Sequence, residues 1–333
     1  MKLAKSAVFS VMVAASLTAC EPSAAPGPDG EAASSATPSS NETVAAPSDP
    51  ARLSALFDCV REEGGVLLAA HRGGPAPGYP ENAIETMAYA LNNGAYVMEI
   101  DVAESRDGTL FLMHDDSLGR TSTGNGSIAD TDWAEISALN LVDNDGKVTR
   151  FNPPSLKAAL EWAVENDAIL ELDKKRTTSA RNIIDVVRET GAEANVIMIT
   201  YNDDQALQVA RLAPELMMTA GIGGREHEAS LIEGGLDPEK LIAWAGTSNP
   251  NPGKWRALSN KGIETAFGTL GRPGERLDDE YWADGDPSEY SELVEGGLVL
   301  LATDTPYRLA QADGLIGDAQ DIAHDVCMTA YRD

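Results

Sequence analysis

Long apolar runs are missing from this chain. Nothing approaches the roughly 18 uninterrupted apolar residues of a membrane span, which excludes a polytopic helical membrane protein. Basic residues are scarce as well, 25 Lys and Arg against 53 Asp and Glu, for a net charge of −28. Nucleic acid binds proteins by exchanging phosphate counterions for lysine and arginine, so it is excluded as a partner. The same charge repels an anionic bilayer surface unless something other than charge holds the chain there. Histidine occurs four times, cysteine three times, and aromatics make up only 5%. What is present is 43% hydrophobic residues over 333 positions, enough for a core in one large domain or two small ones.

The N-terminus reads as an address. Lys2 and Lys5 precede an apolar stretch ending Leu17-Thr18-Ala19-Cys20. Small residues before a cysteine resemble the lipobox of bacterial lipoproteins, in which that cysteine is acylated and becomes the first residue. The alternatives are an ordinary secretory leader or a short anchor, but the stretch is too short to span. Residues 1–19 are thus expected to be a signal peptide, and Cys20 the lipidation site. Each buried methylene of an acyl chain contributes about 0.8 kcal/mol, an attachment that charge cannot give. The expected location is the bacterial cell envelope, lipid-anchored, facing the periplasm or the outer surface. Residues 20–50 hold mainly Pro, Ala, Ser, Gly, Thr and acids, so they read as a disordered tether.

Cys59 and Cys327 remain. Each lies in a helix-like segment at one end of the globular part, and in an oxidising compartment they can pair as a disulfide. The alternative is two separate buried thiols.

From residue 51 to 333 the chain reads as one domain of alternating strands and helices. Apolar runs fall at 66–70, 96–102, 110–113, 169–172, 195–200, 216–220, 241–244, 263–267 and 298–302. Helical patterns stand between most of them, and Asp132-x-x-Glu135 has the form of a capping box. Eight or nine strands over about 280 residues predict an α/β fold, a (β/α)₈ TIM barrel, with a doubly wound sheet as the rival. One connection breaks the pattern. Only 102–109 separates the second run from the third, too little for a crossover helix. Either the chain runs back down in extended form and turns at Asp107-Gly108, or it makes a plain hairpin. The hairpin is expected to carry His114 to the opposite end.

Barrel enzymes carry their chemistry at the C-terminal ends of strands. His71 and Arg72 end the first run, Glu99 and Asp101 the second, His114 the third, Asp173 and Lys175 the fourth. Residues two apart on a strand share a face, so Glu99 with Asp101 and Glu171 with Asp173 are expected to point inward. Three buried carboxylates need a cation, and oxygen ligands alone select a hard one, Ca²⁺ or Mg²⁺. A surface-exposed acidic edge is the alternative. His71 and His114 are candidates for an acid–base pair. Arg72 offers a planar fork and Lys175 a point charge for phosphate oxygens. His227 and His324 are expected to face solvent.

His71-Arg72-Gly73, Pro80-Glu81-Asn82, Glu99-x-Asp101-Val102, Asp107-Gly108 and His114-Asp115 resemble the glycerophosphodiester phosphodiesterase family. Leu118-x-Arg120-Thr121, Gly124-x-Gly126, Pro154-Ser155-Leu156, Leu170-Glu171-Leu172-Asp173-Lys174-Lys175 and Thr303-Asp304-x-Pro306 extend the likeness over most of residues 66–310. The resemblance implies a TIM barrel with a small insertion after the third strand, about 116–154, and the extended return. It implies Glu99, Asp101 and Asp173 as metal ligands for one divalent cation, and His71 and His114 as catalysts. Arg72 and Lys175 would bind the phosphoryl group, while Glu81 and Asn82 line the site or stand behind it. Asp173 takes the place of the family's Glu. Gly268-Thr269-Leu270-Gly271 departs from its Trp-Thr-x-Asn, leaving Phe267 or Trp244 to supply the missing aromatic. Residues 273–291 are expected as an acidic insertion over the mouth.

The implied activity is metal-dependent hydrolysis of small glycerophosphodiesters to an alcohol and glycerol 3-phosphate, with His71 as base and His114 as acid. The membrane enters only through the anchor on Cys20. A related barrel phospholipase acting on phosphoinositide or sphingolipid, and a non-catalytic surface-binding lipoprotein, are the alternatives.

Overall fold

Nine strands form: β1 (Leu67–Ala70), β2 (Val97–Glu104), β3 (Leu110–Leu112), β4 (Ile169–Lys174), β5 (Val196–Ile199), β6 (Met217–Gly221), β7 (Leu241–Trp244), β8 (Glu264–Gly268) and β9 (Leu300–Thr303). They belong to a computed structural model that describes residues 49–332 apart from 313. The leader, Cys20 and the tether up to residue 48 lie outside the described residues. All strands but β3 pair in parallel in the order β1-β2-β4-β5-β6-β7-β8-β9, and β9 returns to β1. The result is a closed (β/α)₈ barrel. Among the described residues no helix is long and apolar enough to cross a membrane.

Strand alternation sorts the side chains into two layers. Leu67, Ala69, Val97, Ile169, Ile197, Met217, Ile242 and Ala266 pack inside the barrel. Met98, Ile100, Leu170, Leu172 and Met198 point outward against the helices, so both faces of each strand are apolar, as a parallel sheet requires. The helices follow local signals. Ser179 accepts a hydrogen bond from the Asn182 N–H at the start of Ala180–Thr190, and Gly191 ends that helix in the left-handed region at φ 67°. The capping box does not form. The Asp132 carboxylate is taken by Arg106 at 2.7 Å and 2.5 Å, and the first N–H of the short turn Trp133–Ile136 donates instead to Asp107 at 2.9 Å.

The odd connection is the plain hairpin, and the consequence expected of it does not follow. β2 continues past the barrel rim to Glu104, the chain turns at Asp107-Gly108, and β3 returns antiparallel with Val102 opposite Leu112. The Met113 N–H donates to the Asp101 carbonyl at 2.9 Å, so His114 arrives level with Asp101 at the mouth. The length of β2 beyond the rim carries His114 back to the site, and β3 stands outside the barrel wall. Residues 116–154 then form a small lobe whose Leu118, Ile128, Ile136 and Leu141 pack on Phe111 and Met113.

The opposite end is closed by the helix Ala51–Glu63, whose Leu53, Phe57 and Val60 join the barrel interior together with Met328 and Tyr331. Cys59 and Cys327 are disulfide-bonded here, with Cα atoms 5.7 Å apart and a sequence separation of 268. His324 does not face solvent as expected. It is half-buried with its ring edge-on to Tyr96 at 4.5 Å. Linking chain ends this distant removes loop-closure entropy from the unfolded state, by up to about 5 kcal/mol in the chain-entropy model. Reductant, or the paired Cys59→Ser and Cys327→Ser substitutions, should therefore lower the midpoint of denaturant unfolding. Superimposable curves with and without reductant would mean the crosslink adds no stability.

Candidate active site

The register between β2 and β4 builds the site in rungs. Val97 lies beside Ile169, Glu99 beside Glu171, and Asp101 beside Asp173. Because alternate residues face inward, an apolar floor is followed by two acidic rungs toward the mouth. All four acids line a cavity of about 500 Å³ shared with His71, His114, Lys175, Tyr201 and Trp244. Glu99, Asp101 and Asp173 each offer an oxygen within 4.8 Å of the others, and all three are buried. The exposed acidic edge is thereby ruled out.

Each member of this trio has its own support. Asn82 brackets Asp101, donating from Nδ2 to Oδ2 at 2.7 Å and accepting the Asp101 N–H at 2.9 Å. Lys175 places Nζ 2.5 Å from Asp101 and 2.6 Å from Asp173, so its charge already sits between two of the carboxylates. The backbone N–H of Arg72 donates to Glu99 at 2.8 Å. Arg72 and Asn82 adopt left-handed conformations, φ 53° and 59°, which non-glycine residues rarely hold without surrounding constraint. The Arg72 guanidinium pairs with buried Glu81 at 3.0 Å. Glu81 also receives Arg120 through two bonds at 2.8 Å and 2.9 Å, so it anchors two arginines and stands behind the cavity wall.

Both imidazoles enter the cavity, and each is gripped at Nδ1 by a carboxylate. His71 meets Asp304 at 2.7 Å, and His114 meets Asp115 at 2.7 Å. A carboxylate only accepts, so each Nδ1 carries the proton and each Nε2 is left for chemistry. The Nε2 of His71 lies 3.9 Å from Glu99. Asp115 is itself clamped by Arg120 at 2.6 Å and 2.9 Å. Sequence reasoning quoted Asp115, Arg120 and Asp304 within motifs without giving them roles. Their signal was position, an acid directly after His114 and another at the end of a barrel strand. Tyr201, just past β5, was missed altogether; it lines the cavity together with Asp173. Trp244 lines the cavity, whereas Phe267 is fully buried against Trp255 outside the barrel and cannot reach a ligand. His227 is half-buried outside this cavity, with Nε2 2.9 Å from Asp203.

The electrostatics follow from burial. Glu99 is pushed up to about 8 by desolvation and by the charges of Asp101 and Asp173. Burial alone raises Glu171 to about 7. Burial opposes the charge on Asp101 as well, but the Lys175 ammonium holds its carboxyl below the usual range. Among the described residues, the Oδ1 of Asp173 is buried without a hydrogen-bond partner. Excess negative charge and an orphaned oxygen are what a hard divalent cation on Glu99, Asp101 and Asp173 would relieve, so the residues fit one. Without a cation, the folded chain keeps protons on Glu99 and Glu171 that an unfolded chain releases near 4.5. The folded state then binds more protons, and stability falls as pH rises from about 5 to about 8. Thermal melts in chelator should show this decline, and Ca²⁺ or Mg²⁺ should flatten it. A chelated protein as stable at the upper pH as at the lower would mean that both acids are ionised in the fold.

The Glycerophosphoryl diester phosphodiesterase family model matches residues 71–225. The chain is 29% identical over 155 residues to the protein YqiK of Bacillus subtilis, a match spanning 45% of this chain and 63% of that one. It is 28% identical over 173 residues to a glycerophosphodiester phosphodiesterase of Caldanaerobacter subterraneus, covering 50% of this chain and 69% of that one. A solved glycerophosphoryl diester phosphodiesterase from Parabacteroides distasonis superposes with a TM-score of 0.67 at 26% identity, over 77% of this chain and 90% of that one. Over residues 71–225 the chain matches the glycerophosphoryl diester phosphodiesterase family, and its barrel superposes on a solved protein of that name.

Proposed function

We propose that this chain is a glycerophosphodiester phosphodiesterase, splitting small glycerophosphodiesters into an alcohol and glycerol 3-phosphate. The observation that carries the reading is the convergence of three buried carboxylates and two imidazoles on one cavity. Glu99, Asp101 and Asp173 would hold one Ca²⁺ or Mg²⁺. Bound there, the ion supplies positive charge against the phosphoryl oxygens.

The remaining work falls to side chains. Arg72, fixed by Glu81, and Lys175 draw the anionic phosphodiester into a molecule that is otherwise strongly acidic. The Nε2 of His71 takes the proton of the attacking hydroxyl as its oxygen bonds phosphorus; where that hydroxyl is the substrate's own, a cyclic phosphate forms and water opens it to glycerol 3-phosphate in a second step. The P–O bond to the alcohol breaks as the Nε2 of His114 gives its proton to the departing alkoxide. The division of roles follows exposure. The His114 side chain is 35% exposed against 19% for His71, so the acid stands where the alcohol can leave. Residues 1–19 and Cys20, as a lipoprotein leader and its acylated cysteine, would keep the enzyme in the cell envelope. Residues 20–50 would then tether the phosphodiesterase domain, 51–333.

Release of glycerol 3-phosphate from glycerophosphocholine with Ca²⁺ or Mg²⁺, abolished by chelator, is the expected result. Full activity in chelator would remove the cation from the mechanism, and cleavage of intact phospholipid alone would replace the substrate class. His71→Ala and His114→Ala should each lower the rate by about 10²–10⁴-fold at saturating cation. Losses under about tenfold in both would take them out of acid–base roles.

A further inference from the structure

Between β8 and β9 runs an acidic segment, expected from sequence to lie over the mouth, and its side chains are tied into the site. Asp278 is completely buried, and Tyr290 Oη, Thr303 Oγ1 and the Asp304 N–H donate to it at 2.5, 2.9 and 2.7 Å. A buried carboxylate with three donors is a fixed point in the fold. It sets the backbone of Asp304, whose own two oxygens are divided. Oδ1 faces the Nδ1 of His71 at 2.7 Å. Oδ2 accepts the Gly271 N–H at 3.0 Å and the Arg276 guanidinium at 2.8 Å. The carboxylate cannot rotate away from His71 without giving up both bonds on its other side.

We propose that Asp304 is a positioning residue for His71, holding the imidazole with Nδ1 protonated and Nε2 in the cavity, and that Arg276 and Asp278 of the segment between β8 and β9 lock Asp304 in place. The inference rests on the phosphodiesterase reading for its kinetic consequence, but the hydrogen-bond geometry stands without it. Despite its burial, Asp304 is held down to about 2 by His71, Gly271 and Arg276, so it stays an anion throughout the working range. Asp115 grips the Nδ1 of His114 in the same way, but through Arg120 and the lobe after β3. Two elements outside the barrel thus orient the two imidazoles separately.

The test uses the full chain with saturating divalent cation. Asp304→Asn should lower kcat by about 10–100-fold with KM within about twofold. Arg276→Ala, further from the imidazole, should give a smaller loss of kcat, and it keeps the test open if Asp304→Asn does not fold. Independently of turnover, ¹⁵N NMR of labelled histidine should find His71 protonated at Nδ1 in the unsubstituted protein and released from that state in Asp304→Asn. Unchanged kcat in both variants, a rise in KM alone, or an unaltered His71 tautomer would overturn the proposal. Should the unsubstituted enzyme cleave no glycerophosphodiester, the functional reading fails, and the NMR result still decides the role of Asp304.

Discussion

Negative charge buried where water cannot dissipate it is the constraint around which this protein is organised. Two neighbouring strands bring four carboxylates to one wall in two rungs, at distances where all of them cannot remain ionised unaided. Nearby features answer that strain. Lys175 divides its charge between Asp101 and Asp173, Asn82 occupies both sides of Asp101, and the Arg72 amide turns toward Glu99. The left-handed backbone at Arg72 and Asn82 is the conformational cost of pointing those groups inward, and the packed barrel around them absorbs it.

Cationic side chains sit inside this acidic frame. Arg72 is paired with Glu81, and Glu81 is shared with Arg120, which in turn secures the carboxylate behind His114. A continuous polar chain thus links the guanidinium in the site to the orientation of one imidazole. The other imidazole is governed from across the mouth. Each carboxylate in the chain accepts at least two bonds, while the Nε of Arg72 is buried without a hydrogen-bond partner.

Much of this was legible in the residues. Strand-end acids two apart, histidines closing apolar runs and the alternation of runs with helical patterns gave the barrel and the trio 99, 101 and 173, because periodicity and pleat are local properties. Three things were not local. The overshoot of β2 past the rim, which returns His114 to the mouth, depends on where the barrel wall ends. The competition of Arg106 for Asp132, which removes a helix cap, needs a partner 26 residues away. The anchoring of 273–291 by Asp278 could not be seen because an acid surrounded by acids reads as solvent-facing until Tyr290 and Thr303 are found around it. Phe267 and Trp244 were equivalent as letters, and only the strand face separates them.

The helix Ala51–Glu63 stoppers the barrel at the end away from the cavity, and the disulfide pins it to the last helical segment. Among the described residues both ends of the chain therefore lie at the sealed pole, and the cavity opens at the other. Traction on the chain at residue 49 would meet the stopper and its sulfur rivet before it reached the rim of the cavity.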